Sequence, residues 1–170
     1  NAGKVHISHY ELVGSDLFYT SNASGVWKSE VVDQAGTVGQ WTAIATNAAG
    51  SVHIAYVNVD NGMGRFAIGK PGSWQLGNLE TVVKSTALSV ATWGGEVYVA
   101  FNGNSQGQFQ ERVRLGTRKG TSFSFEYIDR GVASEWCGGA MVGWTGPRTA
   151  KLGIGDPAGI GITYGALALA

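Results

Sequence analysis

The chain is poor in cysteine, proline and charge, and each shortage removes a class of protein. Its one cysteine, Cys137, has no partner for an intrachain disulfide, so this is no small disulfide-stapled scaffold, and the thiol reads as a small buried apolar side chain. Charged residues make up 14% of the sequence, well below the roughly 25% of an average soluble protein. Twelve basic and twelve acidic residues cancel, which removes the electrostatic footprint of a nucleic-acid binder and the polybasic run that seeks an anionic membrane. No run approaches the roughly 20 apolar residues of a membrane-spanning helix. The most apolar stretch, 160–170, is short and broken by glycine. Nor does any segment carry the 3.6-residue period of an amphipathic helix.

What is abundant is glycine, with 27 residues, and tryptophan, with 6, a composition of many turns between short strands. Their order is a repeat. Gly3-Lys4-Val5-His6-Ile7-Ser8-His9-Tyr10 returns as Gly50-Ser51-Val52-His53-Ile54-Ala55-Tyr56 and again as Gly95-Glu96-Val97-Tyr98-Val99-Ala100-Phe101, a period of about 45 residues. Behind each copy comes a second short strand, at 16–20, 64–68 and 110–115, and then a glycine followed by an aromatic. That pair is Gly25 with Trp27, Gly72 with Trp74, and Gly120 with Phe123. A last element of small and apolar residues, at 42–46, 87–91 and 140–144, precedes each new copy. Residues tolerant of positive φ, Asn47 to Gly50 and Gly94-Gly95, stand at the tight turns between them.

Four short strands per period predict an all-β chain of β-propeller-like repeats, about three blades, with a β-sandwich or β-solenoid as the alternative arrangement. The repeats fill residues 1–130, as units near 3–49, 50–94 and 95–130. Residues 131–170 form a glycine-rich C-terminal closing or assembly segment. When strands are numbered from the small-residue element, the chain opens on a second strand. About three blades fall short of the 4–8 that close a propeller, so the expected partner is the chain itself, as a homo-oligomeric ring, or the rest of a longer propeller chain. A start at Asn1 instead of methionine also points to an upstream piece removed.

The Val-His-Ile strands at 5–7 and 52–54, with the turn Ser21-Asn22-Ala23-Ser24-Gly25-Val26-Trp27, resemble the sialidase-like propeller repeats with degenerate Asp-box turns. The likeness spans roughly residues 3–130. It implies a propeller in which Trp27 and Trp74 pack between blades, and an extracellular or virion-surface setting. Asn22 stands near the position of the box aspartate, and the two later turns carry no carboxylate, so the resemblance supports a fold and not an activity.

The chemistry such an enzyme needs is an arginine cluster for a substrate carboxylate, a tyrosine nucleophile with a carboxylate partner, and an acid-base aspartate. Arg112, Arg114 and Arg118 share one strand and read as a solvated face. His6 and His53 are repeat equivalents and serve the repeat, so no metal site is expected, and no cofactor. No catalytic residues emerge. Exposed rings on connecting loops suit stacking against sugars, which singles out Trp41 and Trp136 as ligand-binding candidates. Asn22-Ala23-Ser24 matches an N-glycosylation acceptor. The function expected is therefore a non-enzymatic structural or recognition module, extracellular or virion-associated, with glycans as its ligands. The alternatives are a fragment of a sialidase-like glycosidase and a viral fibre or capsid-decorating protein.

Overall fold

The computed structural model of the chain describes residues 3–82, 88–104, 111–127, 138–144, 149–155 and 162–168. They form four antiparallel sheets, each a meander in which strands pair with their neighbours in sequence. The first sheet is β1 (His6–Glu11), β2 (Asp16–Ser21) and β3 (Lys28–Asp33). The second is β4 (Val38–Thr46), β5 (Val52–Asn58), β6 (Met63–Lys70) and β7 (Ser73–Thr81). The third is β8 (Ser89–Trp93), β9 (Glu96–Asn104), β10 (Glu111–Lys119) and β11 (Ser122–Tyr127). β12 (Gly138–Trp144), β13 (Thr149–Gly155) and β14 (Ile162–Ala168) make the fourth.

Where the repeat count points to about three units, the structure has four sheets. Among the described residues of the C-terminal segment, β12, β13 and β14 form a sheet of their own. It is again a meander, β12 pairing with β13 and β13 with β14. Pairing with the next strand in sequence satisfies the backbone groups of three consecutive strands.

The first three sheets stack face to face, and side-chain alternation decides which residues meet. In β2, Leu17, Tyr19 and Ser21 are buried while their neighbours are half-buried. Leu17 and Tyr19 join Val32, Val38, Val52, Ile54, Tyr56 and Ala67 in a core between the first and second sheets. The opposite face of β5 sends Ala55 and Val57 into a second core with Leu79, Val82, Val90, Val97, Val99 and Phe101, between the second and third sheets. β5 is therefore buried along its whole length. That explains a continuous apolar run in place of the polar alternation of a sheet with one wet face. The small-residue strands follow one another, β4 lying against β1 and β8, and β8 against β12. The small side chains of β4 and β8 allow this close passage. Thr42 Oγ1 donates to Ser8 Oγ at 2.9 Å and Thr92 Oγ1 to the Thr46 carbonyl at 2.9 Å.

Register makes the repeat exact at the level of single residues. Opposite Arg65 in β6 stands Tyr56 of β5, opposite Arg114 in β10 stands Phe101 of β9, and opposite Phe18 in β2 stands His9 of β1. Each of the two arginines reaches a carboxylate at the end of the preceding sheet's outer strand. Arg65 Nη1 lies 2.5 Å from Asp33 Oδ2 and Arg114 Nη2 lies 2.6 Å from Glu80 Oε2. One device thus crosses the seam between the first and second sheets and the seam between the second and third.

Candidate functional site

Trp41 occupies an irregular stretch of β4. The register of β4 against β5 slips between Val38 and Gln40 and again between Gln40 and Ala43, the signature of bulges that re-aim a side chain. The cause is local. Gly39 has φ +98°, and a Cβ there would lie 2.7 Å from the Leu17 Cα, so only glycine lets β4 pass this close to β2. Two residues on, Trp41 takes φ 49°, a left-handed conformation unusual for a bulky side chain. The residue is 39% exposed. A strained backbone that presents an indole to solvent is the kind of outlier that binding sites retain.

The other tryptophans divide. Trp74 is half-buried, meets Tyr19 edge-on at 5.2 Å and donates from Nε1 to Glu30 Oε1 at 2.7 Å. The same carboxylate oxygen accepts from the Gly72 amide at 2.9 Å, so the β6–β7 turn is pegged to β3. Gly72 itself has φ +82°, which the tight Pro71-Gly72 turn requires. Trp27 stands at the equivalent register and is 57% exposed, with no sheet over it. Trp136 and Cys137 lie outside the described residues.

Beside the Trp74 peg, two contiguous depressions of about 300 and 170 Å³ share Tyr19, Ala23 and Pro71. Lys4, His6 and Lys70 line the larger, and Lys28, Ser29 and Glu30 the smaller. His6 Nδ1 sits 2.6 Å from the Tyr19 hydroxyl. Burial, and then the positive charge of Lys4, lower the His6 pKa. Its counterpart His53 is 4% exposed, and neither ring nitrogen has a hydrogen-bond partner. Burial, reinforced by Arg118, pushes that imidazole down to about 4. The two histidines sit in different sheets, on β1 and β5.

The arginines do not gather around a pocket. Arg65 is held by Asp33 in one seam, where Asp33 Oδ2 also accepts from the Tyr56 hydroxyl at 2.7 Å. Arg114 is held by Glu80 in the other and lies 4.2 Å from the Tyr127 ring centroid. Arg118 is 5.9 Å from the Phe66 ring centroid. Arg114 and Arg118 thus face the second sheet, and the solvated strand face expected of them is a packed one. Among the described residues no group of three His, Cys, Asp or Glu side chains is placed to hold a metal ion. The acceptor triplet at Asn22 is engaged in the fold. Its Oδ1 accepts from the Val5 amide at 2.7 Å and its Nδ2 donates to the Gly3 carbonyl at 3.3 Å.

Sequence reasoning passed over Asp33, Glu80 and Glu30. A signal was present, since Asp33 and Glu80 are separated by about one period, as repeat-equivalent carboxylates should be. No protein-family model matches the chain, and a search of curated proteins finds no similar sequence.

Proposed function

We propose that the chain is a recognition module built from propeller blades, that it works outside cells or on a virion surface, and that it binds glycans through Trp41. Each sheet is one blade in this reading, and the small-residue strands β4, β8 and β12 form its inner edge. Supporting that geometry are the succession of β4, β8 and β12 against one another and the recurrence of the same register positions in successive sheets. The recognition reading rests on one observation, the exposed indole of Trp41 held at φ 49° in a twice-bulged strand. A pyranose ring offers an apolar C–H face that stacks on an indole, and its hydroxyls need polar neighbours. Gln40 and Thr42 flank the ring in sequence.

The engagement of Arg65 and Arg114 in two separate seams weighs against the glycosidase alternative. A glycan array probed with the whole chain tests the proposal, followed by titration calorimetry on any hit. Binding that disappears in Trp41→Ala, with the fold intact by circular dichroism, is the expected result. Absence of any glycan binding, or binding indifferent to Trp41, overturns it.

A further inference from the structure

The two depressions beside the Trp74 peg concentrate positive charge in a chain whose net charge is zero. Lys4, His6 and Lys70 line the larger and Lys28 the smaller, against the carboxylate of Glu30. Glu30 is committed elsewhere, its Oε1 accepting from the Gly72 amide and the Trp74 indole. Among the described residues no carboxylate forms an ion pair with Lys4, Lys28 or Lys70. His6 Nε2 is buried without a hydrogen-bond partner. The fold does not require this charge, because the next seam does without it. Between the second and third sheets the positions of Lys4, His6, Lys28 and Lys70 are taken by Ser51, His53, Gln75 and Lys119. Lys119 alone carries a fixed charge there, and Glu96 neutralises it at 3.0 Å. In the second sheet Ser51 stands where the third has Glu96, so Lys70 lacks the partner that Lys119 has.

We infer that these depressions form a second ligand site, which takes the sulfate or phosphate groups of an anionic carbohydrate. Trp41 lines neither of them, so the site stands whether or not Trp41 binds a sugar. Among the described residues no arginine lines them either. The forked donor that matches a planar carboxylate is therefore missing, while lysine ammonium groups act as point charges toward tetrahedral anions. Lys4 and Lys70 at one depression and Lys28 at the other provide for two such groups on one ligand. Tyr19, Ala23 and Pro71, shared by both, give the partly apolar floor on which a sugar ring rests between them. Ser24 and Ser29 bring hydroxyls for those of the ring. The walls are set before any ligand arrives, which lowers the cost of binding. Glu30 pegs the β6–β7 turn, the 2.6 Å contact with Tyr19 fixes His6, and Asn47 Oδ1 braces the β4–β5 turn by accepting from the Ser51 amide at 2.9 Å. A nucleic acid also offers phosphates, but its regular backbone charge calls for a longer basic track than three lysines.

Titration calorimetry of the whole chain tests this with four probes: a disulfated disaccharide, a bisphosphorylated one, the same sugar unsubstituted, and a thymidine oligonucleotide. One or both of the charged disaccharides should bind, more weakly as salt rises, and the unsubstituted sugar should not; the tighter of the two identifies the anionic group. Lys28→Gln and Lys70→Gln should each weaken binding about 5-fold, and the double variant about 25-fold, as independent contacts do. Both side chains are exposed, so the variants keep the fold. Lys119→Gln removes the same net charge from the third sheet and should leave affinity unchanged. In NMR spectra the His6 ring signals should move on binding, while those of His53, 4% exposed in the other core, stay in place. Failure of both charged disaccharides to bind, equal binding of the unsubstituted sugar, an equal loss in Lys119→Gln, or tighter binding of the oligonucleotide overturns the inference. Trp41→Ala should hold the charged disaccharide as the wild type does, and its loss there would mean that the depressions are no separate site. Glycans bound through Trp41 are scored on Lys28→Gln with Lys70→Gln, so the two sites fail or stand independently.

Discussion

Single residues carry the strain and the charge of this fold. Trp41 takes a left-handed φ of 49°, where any Cβ costs about 1 kcal/mol relative to glycine. Trp41→Gly is therefore expected to be more stable than Trp41→Ala by about 1 kcal/mol, against the usual order within a strand. Urea melts of the two variants check this, and an alanine variant of equal or greater stability contradicts the backbone argument. His53 makes a pH prediction with a definite sign. Its folded pKa of about 4 lies below the ordinary 6.5, so the fold binds fewer protons than the unfolded chain between those values. Its titration costs nothing above pH 6.5, and stability falls as pH drops through the window, by on the order of 3 kcal/mol once pH 4 is passed. His53→Leu removes two unpartnered buried nitrogens and should flatten that part of the profile. The gap between variant and wild type is then larger at pH 4 than at pH 7, and a constant gap rejects the assignment.

Elements are joined across seams by one arginine–carboxylate device in two settings. The side chain of Asp33 is 2% exposed, while that of Glu80 is 35% exposed. Removing a buried partner strands a charge, so Asp33→Ala should cost about 3 kcal/mol, and Glu80→Ala about 1 kcal/mol or less. Asp33→Ala combined with Arg65→Met should recover part of the loss, because no charge then remains unpaired. Equal costs for Asp33→Ala and Glu80→Ala in denaturant titrations contradict the burial argument. The strands themselves were legible in the sequence, because alternation and glycine turns are local signals, and Val-His-Ile at 52–54 falls in β5 as its spacing predicts. Seam contacts were not, since Arg65 and Asp33 lie on different sheets and only stacking brings them together. The bulge at Trp41 was equally hidden, being imposed by the passage of Gly39 over Leu17. Trp27 and Trp74 look alike in sequence and differ in burial because a neighbouring sheet covers one and not the other.

At the scale of the whole molecule, the sheets form a row in which each packs on its neighbours, so stability is a sum of sheet terms and seam terms, as in repeat proteins. The low charge content follows from this plan. Sheets covered on both faces have little wetted surface to furnish with charged side chains, and β5 has none. The row also predicts where the chain opens first. β5 draws on both cores, whereas the first sheet has one covered face and one bare one. In native-state hydrogen exchange the β5 amides should exchange only through global unfolding, and those of β1 and β3 through a smaller opening that leaves the second and third sheets intact. Because that opening exposes little surface, its free energy should depend on denaturant with a shallower slope than that of β5. A single slope and a single free energy for β1, β3 and β5 in dilute monomer means that the first seam does not open separately, and contradicts a row of sheets held by neighbour contacts alone.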